Sequence, residues 1–230
     1  MSKMNTKKMT LIAMLASAYA VLSLLPGMPM IGADGSSIDP VRMLEIGYGL
    51  VLGPVYGPIT AFLGAFVGKL MKGGGFGLFF TPLAAVSAFV AAMLGRGDHK
   101  GWTTAAGTLG LLTAGWYVFD TGRAVPYYPL LQFAGLIIIL LFRDRIGKMI
   151  KSEDKTEVTK GVLLCSFPAT ITGHMLGGLL FIVLLDPSSS LFVGILPIAT
   201  LERIGISIGA TLFGTSLILA VRRIYPELLE

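Results

Sequence analysis

Residues 45–69 read EIGYGLVLGPVYGPITAFLGAFVGK, and two Gly-Pro steps in the middle of this apolar run decide how the chain folds. As one helix, residues 44–71 would be about 42 Å long at 1.5 Å per residue, against a hydrocarbon core of roughly 30 Å. Proline lacks a backbone donor and pushes the preceding residue out of the α region. Gly53-Pro54 and Gly57-Pro58, four residues apart, therefore mark a break. In lipid a broken backbone survives only at an interface or inside protein. The expectation is two short helices joined by a tight turn. Gly49, Gly53, Gly57, Ala61, Gly64, Ala65 and Gly68 recur along the stretch, a spacing that lets helix backbones approach closely.

Composition places the whole chain in the same environment. It is 54% hydrophobic and 13% charged, with a mean hydropathy of +0.79, which excludes an ordinary soluble domain. Thirty glycines in so apolar a chain fit closely packed helices better than a disordered linker. The net charge of +5 is spread between apolar runs instead of along one face, so it marks topology and not nucleic-acid binding. Cys165 is the single cysteine, so no internal disulfide can form. No phosphate-binding loop of the G-x-x-x-x-G-K-[ST] kind is present, and no metal-ligand spacing. Neither a cofactor nor a metal is expected.

Working outward, the expected architecture is an all-α, polytopic integral membrane bundle forming a single membrane domain over 1–230. Its segments are 9–25, 40–53, 54–72, 77–94, 103–119, 127–142, 161–185 and 191–221. The first follows Lys3, Lys7 and Lys8 and runs on to Pro26, long enough to span rather than serve as a cleaved leader. Residues 26–41 form a turn-rich loop, with Asp39-Pro40 as cap and first-turn proline of the next helix. Residues 143–160 are the longest polar stretch, and Pro168 interrupts the segment after it. Trp102 and Trp116 suit interfacial anchors, as do Tyr117, Tyr127 and Tyr128; Trp116 and the three tyrosines could also stack on a flat ligand.

Charge sets the orientation. With the chain broken at Gly53-Pro54, one side collects Lys3, Lys7, Lys8, Arg96, Lys100, Arg143, Arg145, Lys148, Lys151, Lys155, Lys160, Arg222 and Arg223, 13 of the 18 basic residues. The positive-inside rule then puts both termini in the cytoplasm. Joining the broken stretch into one span would send the basic stretch 143–160 to the other side, so the charge bias supports the break.

Three features together carry a family resemblance: a basic N-terminus leading into a helix with the small pairs Ala13/Ser17 and Ala16/Ala20, the LVLGPVYGPITAFLGAFVGKL pattern, and a last span ILPIATLERIGISIGATLFG ending in arginines. In this combination the chain resembles the substrate-binding S components of energy-coupling factor (ECF) vitamin transporters, best over 5–95 and less over 160–223. The resemblance implies a six-helix core, to which the hairpin 103–142 is extra. It also implies a binding subunit in the cell membrane that takes up a vitamin or related small metabolite. A membrane scaffold subunit and a cytoplasmic ATPase pair would supply the coupling, and the chain itself would not be an enzyme. The A-x-x-x-A face of the first helix would meet the scaffold, with Ala16 and Ala20 first and Ala13 and Ser17 as the other register. Internal packing is the competing use of either pair.

Ionisable residues at membrane depth are costly and mark candidate sites. Arg203, six residues past Pro197, could fork onto a ligand carboxylate or phosphate, or pair internally with Glu45 or Glu202. Glu202 is turned about 100° from it around the helix. Arg42 and Glu45 open the second helix, where Glu45 also suits the helix dipole. His174, in TGHMLGG, could bond a heteroaromatic ligand or simply pack. Lys69 and Lys72 are expected to snorkel to the interface. The alternative function is an autonomous proton- or sodium-coupled secondary transporter, with Glu45, Glu202 and His174 as coupling groups.

Overall fold

The computed structural model describes residues 6–29 and 37–225. It is helical throughout: α1 (Thr6–Leu22), α2 (Leu44–Met71), α3 (Pro82–Gly95), α4 (His99–Trp116), α5 (Asp120–Ala124), α6 (Leu130–Phe142), α7 (Arg145–Ile150), α8 (Lys155–Leu185) and α9 (Ser189–Ile224). Two 3-10 turns, Pro40–Met43 and Gly75–Phe80, lead into α2 and α3. A two-residue antiparallel pairing sets Met28 opposite Ile38 and Pro29 opposite Ser37. Among the described residues four stretches are long and apolar enough to cross a membrane: Pro40–Met71, Gly75–Gly95, Lys155–Leu185 and Ser189–Ile224. Large apolar side chains such as Leu111, Leu141, Leu201 and Leu212 are exposed on the outside of the bundle, which suits contact with lipid.

The helical path of α2 is broken at Gly53, whose φ of 79° and ψ of −176° lie in a region essentially reserved for glycine. The chain reverses there. Gly57 comes against the backbone of Gly49, where a Cβ would lie 2.7 Å from the Gly49 Cα and 2.8 Å from the Tyr48 carbonyl oxygen. At the far end Lys69 pairs with Asp39 at 2.7 Å, although an unbroken helix over that span would separate them by about 45 Å. Residues 44–52 and 54–71 are thus two antiparallel arms, as the Gly-Pro steps indicate. The second arm packs on α1, with Gly64 against Tyr19 and Gly68 against Ser23 and Ala20. The first arm lies against Ala88 of α3 through Gly49.

Further contacts sort the loops into two ends. Lys151 donates to the Arg96 carbonyl at 2.8 Å, and Arg222 donates to the carbonyls of Ile150 and Ser152. Lys7 lies over the Tyr225 ring, Lys8 over Tyr56 and Arg143 over Trp102. The beginning of α1, the end of α9, the turn at Gly53 and the basic loops therefore share one end. Asp39, Lys69 and Lys72 mark the other, together with Thr121, which donates to the Pro187 carbonyl at 3.4 Å. At the basic end Asp98 caps α4 by accepting from the Gly101 N–H at 2.6 Å. Hydrogen bonds from Arg96, followed by that from Gly101, hold its carboxyl down to about 2. Asp154 caps α8 in the same way through Thr156.

Several sequence expectations are corrected. Pro168 does not interrupt α8, which runs unbroken from 155 to 185; its ring is tolerated inside a long helix packed on several neighbours. The polar stretch 143–160 holds α7 and the first turn of α8. Residues 75–80 form a 3-10 turn, so the helix expected from 77 starts at Pro82. The last helix starts at Ser189 with Pro197 inside it, so Arg203 lies about 21 Å along α9. Lys3 and residues 30–36 of the expected turn-rich loop 26–41 lie outside the described residues.

Gly53→Ala is expected to destabilise the protein by about 1–3 kcal/mol through backbone strain, and Gly57→Leu by more because its side chain meets backbone. Gly107→Ala, where a Cβ meets nothing within 4 Å, is the control and should be neutral or slightly stabilising. Thermal unfolding in detergent measures all three; an unchanged Gly53→Ala midpoint would contradict the break.

Candidate functional site

The cavity sits at the end opposite the basic loops, between the charged ends of the α2 arms and a cluster of aromatic rings. Tyr19, Asp39, Arg42, Glu45, Lys69, Tyr128, His174, Phe181, Phe192 and Arg203 contribute to its lining, and it encloses about 130 Å³. That is close to the size of an apolar cavity known to take a single benzene ring.

One wall is a chain of paired charges. Glu45, 2% exposed, stands in the first turn of α2, where a carboxylate is favoured by the N–H groups of the helix start. Its Oε1 accepts from the Tyr19 hydroxyl at 3.0 Å and from Arg42 Nε at 3.2 Å. The Asp39 carboxylate is held by Lys72 at 2.6 Å and Lys69 at 2.7 Å. Lys72 also donates to the Leu25 carbonyl, tying the end of α1 to the hairpin. Burying charge is expensive unless it is paired and hydrogen-bonded, and these pairings meet that condition.

The opposite wall is aromatic and comes from the end of α4, the segment just before α6, α8 and α9. Trp116 is fully buried and stacks on Tyr128 at 4.5 Å between ring centres. Its indole N–H donates to the Val125 carbonyl at 3.2 Å. Phe192 meets both rings edge-on, an arrangement the ring quadrupoles favour. The Tyr128 hydroxyl lies 3.4 Å from His174 Nε2. Arg203, 3% exposed, enters from α9. Its guanidinium pairs with Glu202, while Nε has no partner among the described residues, and neither has His174 Nδ1.

Of the residues singled out by sequence, Arg42, Glu45, His174 and Arg203 line this one cavity. Glu202 does not line it but holds Arg203 from behind, despite the angular offset between neighbours on a helix. Asp39 makes no side-chain cap to the helix it precedes; it binds two lysines instead. Lys69 and Lys72, expected to snorkel, are paired with it. Trp116 and Tyr128, expected in an interfacial belt, are buried, and Tyr128 forms part of the lining. Tyr19 was missed, although it shares a face with Ala16 and Ala20. The pair Asp39 and Lys69 was legible in principle, since opposite charges at the two open ends of an expected hairpin must come together.

On α1, Ala20 is buried against Gly68 and the Ala16 carbonyl lies beside Gly64, so this register packs on α2. Ala13 and Ser17 are exposed. The turn residues Gly53 and Pro54 line a shallow groove with Lys8 and Arg96 at the basic end. No group of three or more His, Cys, Asp or Glu residues is placed to hold a metal ion among the described residues.

An all-helical chain with four stretches able to cross a bilayer and a charged cavity at one end is compatible with a multi-pass membrane protein. Over 177 residues it is 30% identical to an uncharacterized protein of Methanocaldococcus jannaschii, a match that takes in 76% of this chain and 58% of the relative. The chain therefore covers less than two thirds of that relative's length. No family model matches the chain, and no solved structure matches it.

Asp39→Asn is expected to lower the unfolding free energy by roughly 3 kcal/mol, because it leaves two lysines beside an uncharged amide. Lys69→Met should cost less, since Lys72 still holds the carboxylate. Denaturation in detergent at neutral pH ranks the two, and the reverse order would contradict the shared pairing.

Proposed function

We propose that the chain is the substrate-binding membrane subunit of an ECF-type uptake system for a vitamin or related small metabolite. It resides in the cell membrane, crosses it eight times with the hairpin 103–142 added to a six-helix core, and keeps both termini in the cytoplasm. It captures its ligand in the cavity from the outer side. A transmembrane scaffold subunit and two cytoplasmic ATPases then drive release inward; this chain catalyses nothing itself.

The observation that carries the reading is the cavity: walled by buried charge and by aromatic rings, and set at the end away from the basic loops. Basic loops favour the cytoplasmic side, so the cavity opens outward. An intramembrane ionisable residue is a functional candidate by default, and Arg203 with an unused N–H is the strongest here. The scaffold-facing role passes to Ala13 and Ser17, because α2 covers Ala16 and Ala20.

Two measurements test the proposal. Mass spectrometry of small molecules released on denaturing the detergent-purified protein is expected to yield one stoichiometric metabolite. Uptake by the purified chain alone in vesicles, abolished by an ionophore, would instead support the gradient-coupled transporter.

The interface has its own test. Ala13→Trp and Ser17→Trp are expected to reduce co-purification with the scaffold at least tenfold while leaving ligand binding intact. Unchanged co-purification of both would remove that face from the proposal.

A further inference from the structure

We propose that the ligand is a monocyclic heteroaromatic monocarboxylate, its carboxylate on Arg203 and its ring heteroatom on His174. The inference rests on the binding-subunit reading and specifies its substrate. Two polar atoms in the cavity wall lack partners among the described residues, Arg203 Nε and His174 Nδ1. They stand on neighbouring helices, α9 and α8, and both residues line the same cavity. Buried polar groups are nearly always hydrogen-bonded, so two orphans on residues that line one cavity point to a ligand that would satisfy them.

Each atom sets one requirement. The Arg203 N–H left without a partner calls for an acceptor, and a carboxylate oxygen is the strong one for a guanidinium. Planar carboxylates match guanidinium geometry. His174 is fixed by Tyr128 through Nε2, which leaves Nδ1 for the ligand. In either tautomer Nδ1 pairs with a ring nitrogen or ring N–H. The space admits the ring: about 130 Å³ is close to a volume that takes one benzene ring. Tyr128, Phe181 and Phe192 supply faces and edges against which such a ring packs.

The probes are the pyridine-2-, -3- and -4-carboxylates and pyrrole-2-carboxylate, each beside its own carboxamide, with benzoate as the ring lacking a heteroatom. Binding is measured by calorimetry on the full chain in detergent after removal of any bound ligand. At least one acid is expected to bind ten times or more tighter than its amide and five times or more tighter than benzoate. Arg203→Gln should abolish the preference for acid over amide. His174→Phe should keep that preference while removing discrimination against benzoate. If Arg203→Gln does not fold, the comparison of acid with amide on the unaltered protein still decides. Equal binding of acid and amide, or no binding of any acid, overturns the inference. A neutral or multi-ring compound released from the native protein would overturn it while leaving the binding-subunit reading in place. If no compound is released and no probe binds, both readings fall.

Discussion

The close approach of Gly57 to Gly49 is what the rest of the molecule hangs on. A chain that reverses within one residue must lay its backbone against the arm it has just left, and at that contact Gly57 has no room for a side chain, while Gly49 is pressed on Ala88 of α3. Gly53 supplies the reversal, since its backbone angles are closed to other residues. The outcome is felt at the far end of both arms. Residues 39–45 and residues 65–72 arrive side by side, and the cavity acquires a floor that a straight helix could not provide.

Charges at this depth persist because each is committed to a partner before any ligand arrives. Glu45 takes hydrogen bonds from a tyrosine of α1 and from its own helix turn; Asp39 takes two lysines from the other arm. These contacts cross between segments far apart in sequence, so they also define which ends meet. Arg203 differs in having one donor fully used by Glu202 and another with no partner among the described residues. A site held rigid by satisfied pairs, with one donor kept in reserve, has the preorganisation expected of tight small-molecule binding.

Much of the architecture was legible because the signals were local. Two Gly-Pro steps announced the break, and the distribution of lysine and arginine anticipated which loops share an end. Arg42, Glu45, His174 and Arg203 stood out simply as ionisable residues in apolar surroundings. What escaped was everything that depends on which helix lies next to which. Trp116 and Tyr128 follow the composition of an interfacial belt, yet α8 and α9 bury them. Pro168 carries the signature of a break but sits in a helix whose neighbours hold it straight enough to continue. The choice between Ala16/Ala20 and Ala13/Ser17 could not be made until the second arm of α2 was placed, because both registers have the same small residues.

The aromatic wall packs as its own apolar cluster around Trp116, Tyr128, Met175, Phe181 and Phe192. It is separate from the cluster of Tyr19, Tyr48, Ala61 and Ala88 that surrounds the α2 hairpin. Substitutions at sites that share no contacts act nearly independently. Ring size and polarity of the wall can therefore drift over evolutionary time without disturbing the glycine seam that makes the fold. The hairpin 103–142, which brings in Trp116 and Tyr128, is where that drift has the most room.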